Sequence, residues 1–145
     1  MIRAEQMQYE HMLALHDPAW IDHWGGPRAV ELLTRDESEA WALFDGDDRV
    51  IACLGAKRVW GRVAEAWFKP GDGWQKQLRP IFKLLRQNID PMMTRMALTR
   101  LQACVYETER AACRWAMAIG MSFECRLRAY GREGEDMVMY TRMAN

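Results

Sequence analysis

Residues 101–143 change their hydrophobic period twice, and that change limits what the chain can become. Leu101, Ala103 and Val105 alternate with Gln102, Cys104 and Tyr106, the two-residue period of a strand. From Ala112 the interval lengthens, and Ala112, Trp115, Ala116 and Ile119 recur as the packed face of a helix. Thr108 is placed to cap that helix, and Glu109 suits its positive end. Gly120 follows the last periodic residue, where a left-handed residue commonly stops a helix, with Met121 folding back against it. Alternation then resumes, with Phe123, Cys125, Leu127 and Ala129 set against Glu124, Arg126, Arg128 and Tyr130. Residues 131–135 read as a turn, and 137–142 as a final strand.

Upstream, three strand-like segments follow one another closely. Ala40, Ala42 and Phe44 alternate with Trp41, Leu43 and Asp45, and Gly46, Asp47 and Asp48 supply a turn. Residues 49–58 hold the apolar run of a covered strand, and a turn around Trp60 and Gly61 leads into residues 62–69. Joins this tight make an antiparallel meander the economical arrangement. Trp74, Leu78, Ile81, Phe82 and Leu85 then recur at helical spacing. Pro80 lacks an amide donor, so the regular helix is expected to begin near Arg79, with residues 74–78 as an irregular lead-in. A further helical piece is expected from Pro91, carrying Met92, Met93 and Met96. The first 35 residues read as short helices. Met7, Met12 and Leu15 mark one, Asp17 and Pro18 start a second that reaches Trp24, and a third spans 28–33.

A chain of 145 residues suits one domain, here 1–145, with residues 1–35 as a helical N-terminal part. Lys plus Arg equals Asp plus Glu at 20 each, which gives no case for a broadly basic nucleic-acid surface or for an acidic membrane. Arg3, Glu5 and Glu10 interrupt the N-terminus before any signal-like apolar run, and nothing approaches the roughly 18 apolar residues of a span. A cytoplasmic protein is expected. Cys53, Cys104, Cys113 and Cys125 have apolar neighbours and no C-x-x-C spacing, so buried free thiols are expected. His11, His16 and His23 do not share one helix face, and no metal site is expected. The 11 methionines and 7 tryptophans suit core filling or a contact surface.

Helices, a meander, a helix, a strand, a helix and a closing hairpin form an order that resembles the GNAT N-acyltransferase domain. The match is best over 101–143, where Ile119-Gly120-Met121, residues 123–130 and residues 136–142 are similar to the family's closing elements. The resemblance implies an α/β (α+β) fold, a mixed sheet with an antiparallel N-terminal meander, a central parallel pair and flanking helices. The parallel strands would be 62–68 and 101–106, splayed to admit the pantetheine arm of acetyl-CoA or another acyl-CoA. A glycine-bearing bend after the first would offer main-chain donors to the diphosphate. Here it would draw on Gly71, Gly73, Trp74, Lys76 and Arg79, although Asp72 adds a negative charge and Pro70 and Pro80 lack donors. Ala116 stands where many members have a proton-donating tyrosine, and Met121 replaces an aromatic residue.

Glu65, on one of these central strands, is the candidate general base if it projects into a cleft, and Tyr106 and Tyr130 are candidate donors toward the departing sulfur. The activity implied is acyl transfer from acyl-CoA to an amine. The alternative is a non-catalytic interaction protein, similar in length and element order to the acyltransferase-like internal virion proteins of tailed bacteriophages. That reading brings a protein partner, and a host cytoplasmic or virion location. A homodimer is compatible with either.

Overall fold

The computed structural model describes residues 1–15, 27–35 and 37–145. Seven strands are hydrogen-bonded into one sheet: β1 (Arg3–Gln6), β2 (Glu39–Phe44), β3 (Val50–Trp60), β4 (Val63–Pro70), β5 (Arg100–Tyr106), β6 (Ser122–Leu127) and β7 (Met137–Met143). Their spatial order is β1-β2-β3-β4-β5-β7-β6, antiparallel throughout except for the β4–β5 pair. The helices are α1 (Tyr9–Leu13), α2 (Pro27–Leu32), α3 (Leu78–Arg95) and α4 (Arg110–Ala118), with a 3-10 turn, Trp74–Gln77, before α3.

Side-chain alternation assigns the two faces. Ala64 and Ala66 of β4, Leu101 of β5, and Val138 and Tyr140 of β7 pack with Ile89 and Met93 of α3 and Ala116 of α4. The same face continues outward through Leu43, Ala52 and Phe68, which cluster with Ile81 of α3 and with Ile51 at the register shift between β2 and β3. On the opposite face Ala40, Ala42, Phe44, Cys53 and Trp67 meet Met7, Met12, Val30 and Leu33 from the α1–α2 region. The helices α3 and α4 therefore share one face, and α1 and α2 cover β2–β4 on the other.

Several expectations are met in detail. The lead-in to α3 is the 3-10 turn, and Pro80 falls in the first turn of α3, where an amide has no intrahelical acceptor to lose. Gly120 takes φ +96. Its N–H donates to Met117 O at 3.0 Å and that of Met121 to Ala116 O at 3.0 Å, the paired bonds of a Schellman stop.

Other expectations are corrected. Residues 3–6 form a strand, not part of a helical segment. All four are exposed, so they carry no alternation of burial, and pairing of their main chain with β2 decides their state. Pro91 does not begin a new helix: α3 runs through it, and both Pro91 and Gln87, whose carbonyl would have bonded that amide, are exposed. Thr108 does not cap α4; Glu109 holds the N-cap position, without a side-chain bond. Of the four cysteines, all free, only Cys53 is fully buried. The expected second helix, with His16 and His23, lies outside the described residues.

Candidate functional site

The sheet consists of two antiparallel halves, β1–β4 and β5-β7-β6, joined along one parallel seam. That seam has only three rungs, Val63–Arg100, Ala64–Leu101 and Glu65–Gln102. Beyond it β4 stays with β3 as far as the Pro70–Ala52 pair, and β5 stays with β7 as far as Tyr106–Met137. Parallel pairing is the weaker of the two arrangements per residue, and each strand follows its antiparallel neighbour as the sheet twists. Past the last rung the two strands are not paired with each other, which leaves an opening in the ladder between residues 66–70 and 103–106.

Main-chain direction follows from the same ladders. Gly71 N–H donates to Ile51 O at 2.8 Å, so alternation turns the main-chain groups of Phe68 away from β3 and toward the opening. Arg100 N–H donates across the seam to Arg62 O, so Cys104, in phase with Arg100 and Gln102, also turns its main chain inward. The amides of Phe68 and Cys104 thus face the opening just past the last rung.

Glu65 occupies that last rung, on the face opposite α3 and α4. Its carboxylate accepts hydrogen bonds from the Gln102 amide and the Cys104 thiol, the next two residues on that face of β5. Burial holds its carboxyl above the usual carboxylate range, and those two bonds and the nearby Lys57 charge offset only part of that effect. Cys104 is pushed up to about 11, mainly by burial and then by the Glu65 charge, so it stays a neutral thiol donor.

The Gln102 amide is oriented from its other side. Arg100 Nε donates to Gln102 Oε1 at 3.0 Å, which leaves the Gln102 NH2 group to serve Glu65. Arg100 in turn forms a two-point pair with Glu124 of β6, one bond at 2.7 Å. That pair raises the proton affinity of Arg100 and lowers that of Glu124. A chain Glu124–Arg100–Gln102–Glu65 therefore runs across the polar face and fixes the base candidate.

The other side of the opening is aromatic. Trp115 of α4 meets Phe68 of β4 at 5.0 Å between ring centroids, Trp74 of the 3-10 turn at 4.8 Å and Phe82 of α3 at 4.5 Å. Phe68 and Trp74 also meet, at 5.6 Å. Among the described residues, two cavities lie elsewhere: about 230 Å³ between Tyr9 and Glu31, and about 430 Å³ around Arg58 and Arg95.

The structure brings some expected residues together and separates others. Glu65 lies on the last rung of the seam, and Tyr106 ends β5 in phase with Gln102 and Cys104. Tyr130 is carried on the turn after β6, 60% exposed and three strands along the sheet from β4. In the bend, Gly71 is not a free donor, because its N–H is bonded to Ile51 and a Cβ there would stand 2.4 Å from Leu15 Cδ2. Gly73 turns the chain at φ +80, and Lys76 and Arg79 are exposed. Trp74 spends its ring on Phe68 and Trp115. Ala116 is core, 6% exposed. Sequence reasoning missed Arg100, Gln102, Cys104 and Glu124; the one available signal was the polar alternation of β5.

No protein-family model matches the chain, and neither does any curated protein. Solved structures do match its fold. A spermidine N-acetyltransferase from Vibrio cholerae superposes with a TM-score of 0.78 at 11% identity, covering 98% of this chain and 93% of that one. The ribosomal-protein-S5-alanine acetyltransferase from Vibrio fischeri gives 0.75 at 12% identity, with 99% and 93% covered. An acetyltransferase of the GNAT family from Streptococcus pneumoniae gives 0.71 at 10% identity, with 100% of both chains covered. The chain has the GNAT-like fold, a mixed sheet with flanking helices. These matches lend nothing to the resemblance to bacteriophage virion proteins.

Proposed function

We propose that the protein is an acyl-CoA-dependent N-acyltransferase in which Glu65 is the general base. The observation that carries this reading is the position of Glu65: a half-buried carboxyl of raised proton affinity, held by Gln102 and Cys104 at the rung where β4 and β5 part.

The donor set suits an anionic acyl carrier. Both α3 and α4 start beyond the C-terminal ends of β4 and β5, so two helix N-termini flank the open end. Lys76 and Arg79 on one side and Arg110 and Arg114 on the other are exposed there, against Asp72 and Glu109. These groups would hold the diphosphate of acyl-CoA, which when bound supplies the activated acyl group. Main-chain N–H groups at Phe68 and Cys104 are placed to polarise a carbonyl in the opening. Glu65 accepts the proton that an amine must lose, directly or through water, and the Arg100–Gln102 chain keeps its carboxylate in place. Tyr106 is the hydroxyl carried nearest in sequence to that face of β5.

Glu65→Gln tests the reading. Thiol release from acetyl-CoA with a panel of small amines should fall by about 10²–10⁴-fold, the usual worth of a positioned base. Coenzyme A affinity, measured by calorimetry, should not change. Unaltered turnover in the variant would remove Glu65 from the chemistry, and no coenzyme A binding by the folded wild type would remove the reading itself.

A further inference from the structure

On the helical side of the opening one side chain gathers the aromatic contacts. Trp115 is the ring common to three contacts, reaching from α4 to β4, to the 3-10 turn and to α3. Those elements are the rims through which a ligand on this side would reach the amides of Phe68 and Cys104. Cationic residues lie on the same elements, with Arg114 adjacent in sequence to Trp115 and Arg79 one turn from Phe82. Attraction for an anionic ligand and obstruction of its path therefore coincide.

We propose that Trp115 is a gate. In the resting chain its indole fills the passage, and the arm of an anionic acyl carrier enters only when the ring swings out. This rests on the acyl-CoA reading above and adds the residue that sets access. Room for the swing exists on α4 itself. A helical side chain leans over the turn that precedes it, and one turn before Trp115 stand Ala111, exposed, and Ala112, half-buried. Trp115 is itself half-buried, so its path leads to solvent. Binding then draws on only the open fraction of molecules, and the apparent dissociation constant is raised by the reciprocal of that fraction.

The test is calorimetric titration of the full chain with coenzyme A, which binds without turnover. Trp115→Ala should bind about tenfold more tightly or better, and Trp115→Leu, which keeps more of the apolar packing, should fall between it and the wild type. Circular dichroism and urea unfolding establish that each variant is folded, and Trp115→Leu carries the test should the alanine variant not fold. Equal or weaker binding by a folded variant, where the wild type binds, overturns the gate and leaves Glu65 untouched. Failure of the wild type and both variants to bind overturns the gate together with the acyl-CoA reading.

Discussion

Among the described glycines, Gly55 is the one where an added methyl group would run most closely into main chain. It lies in β3 opposite Ala40 of β2 and Trp67 of β4. A Cβ built there would stand 2.3 Å from Glu39 O, 2.9 Å from Ala40 Cα and 3.1 Å from Trp67 Nε1. Carbon and oxygen atoms in favourable contact stay about 3.3–3.6 Å apart, so the overlap with the Glu39 carbonyl is about 1 Å. The obstacle is main chain, so no rotamer relieves it. Moving β2 away disturbs its pairing with β3 on one side and, on the other, with β1 and the Met7 N–H bond to Ala40 O. Overpacking costs about 1–3 kcal/mol, and one lost ladder bond adds about 1 kcal/mol. Gly55→Ala should therefore destabilise by about 2–4 kcal/mol. At this chain length about 2–4 °C of midpoint is lost per kcal/mol, so the melting temperature should drop by roughly 5–15 °C. Urea unfolding with thermal melts checks both figures. A loss below about 1 kcal/mol, at an unchanged urea dependence, would show that β2 yields freely and that the close approach is no constraint.

Two further predictions follow from the seam and from the end of α3. Burial raises the proton affinity of Glu65 in the folded chain, so as pH rises the unfolded chain ionises first and the folded state loses relative stability until its own carboxyl ionises. Glu65→Gln should match the wild type below the ordinary carboxylate range, gain on it as pH rises, and stay more stable at neutral pH. Urea unfolding across pH 3–8 measures the difference, and a variant less stable at pH 7 contradicts the desolvation account. Ala97 takes φ +52 in the Schellman stop of α3, where Leu98 N–H donates to Met93 O at 2.8 Å. A left-handed alanine costs about 1–2 kcal/mol, and glycine's extra freedom in the unfolded chain returns about 0.5–1 kcal/mol. Ala97→Gly should thus stabilise by up to about 1 kcal/mol in the same assay, and a destabilised variant would refute it.

What the sequence reveals here is local. Period-2 alternation marks β2, β5 and β6 and an apolar run marks β3, whereas β1, whose four residues are all exposed at the sheet edge, carries neither. Gly120 announces its own stop because few other residues tolerate φ +96. Trp74 could not be placed in the same way. Its position beside two glycines suggested a ligand bend, but its ring is claimed by Phe68 on the strand before the bend and by Trp115, far along the chain.

The base candidate shows the same division more sharply. Glu65 could be read as a strand glutamate, but its partners depend on a register that neither strand encodes alone. Sliding β5 by one residue along β4 would set Leu101 or Ala103 opposite Glu65, and Gln102 and Cys104 would leave its reach. That register is held by contacts on either side of the seam. Thr99 and Arg100 donate to Arg62 O at its start, and Arg62 Nε donates to Ala97 O at 2.8 Å. Further along, β3 and β7 each keep their own partner past the point of parting. The opening is thus a property of two well-paired halves meeting along a short, weaker join. Most strands of each half are legible in the sequence, whereas the join exists only once both halves have folded.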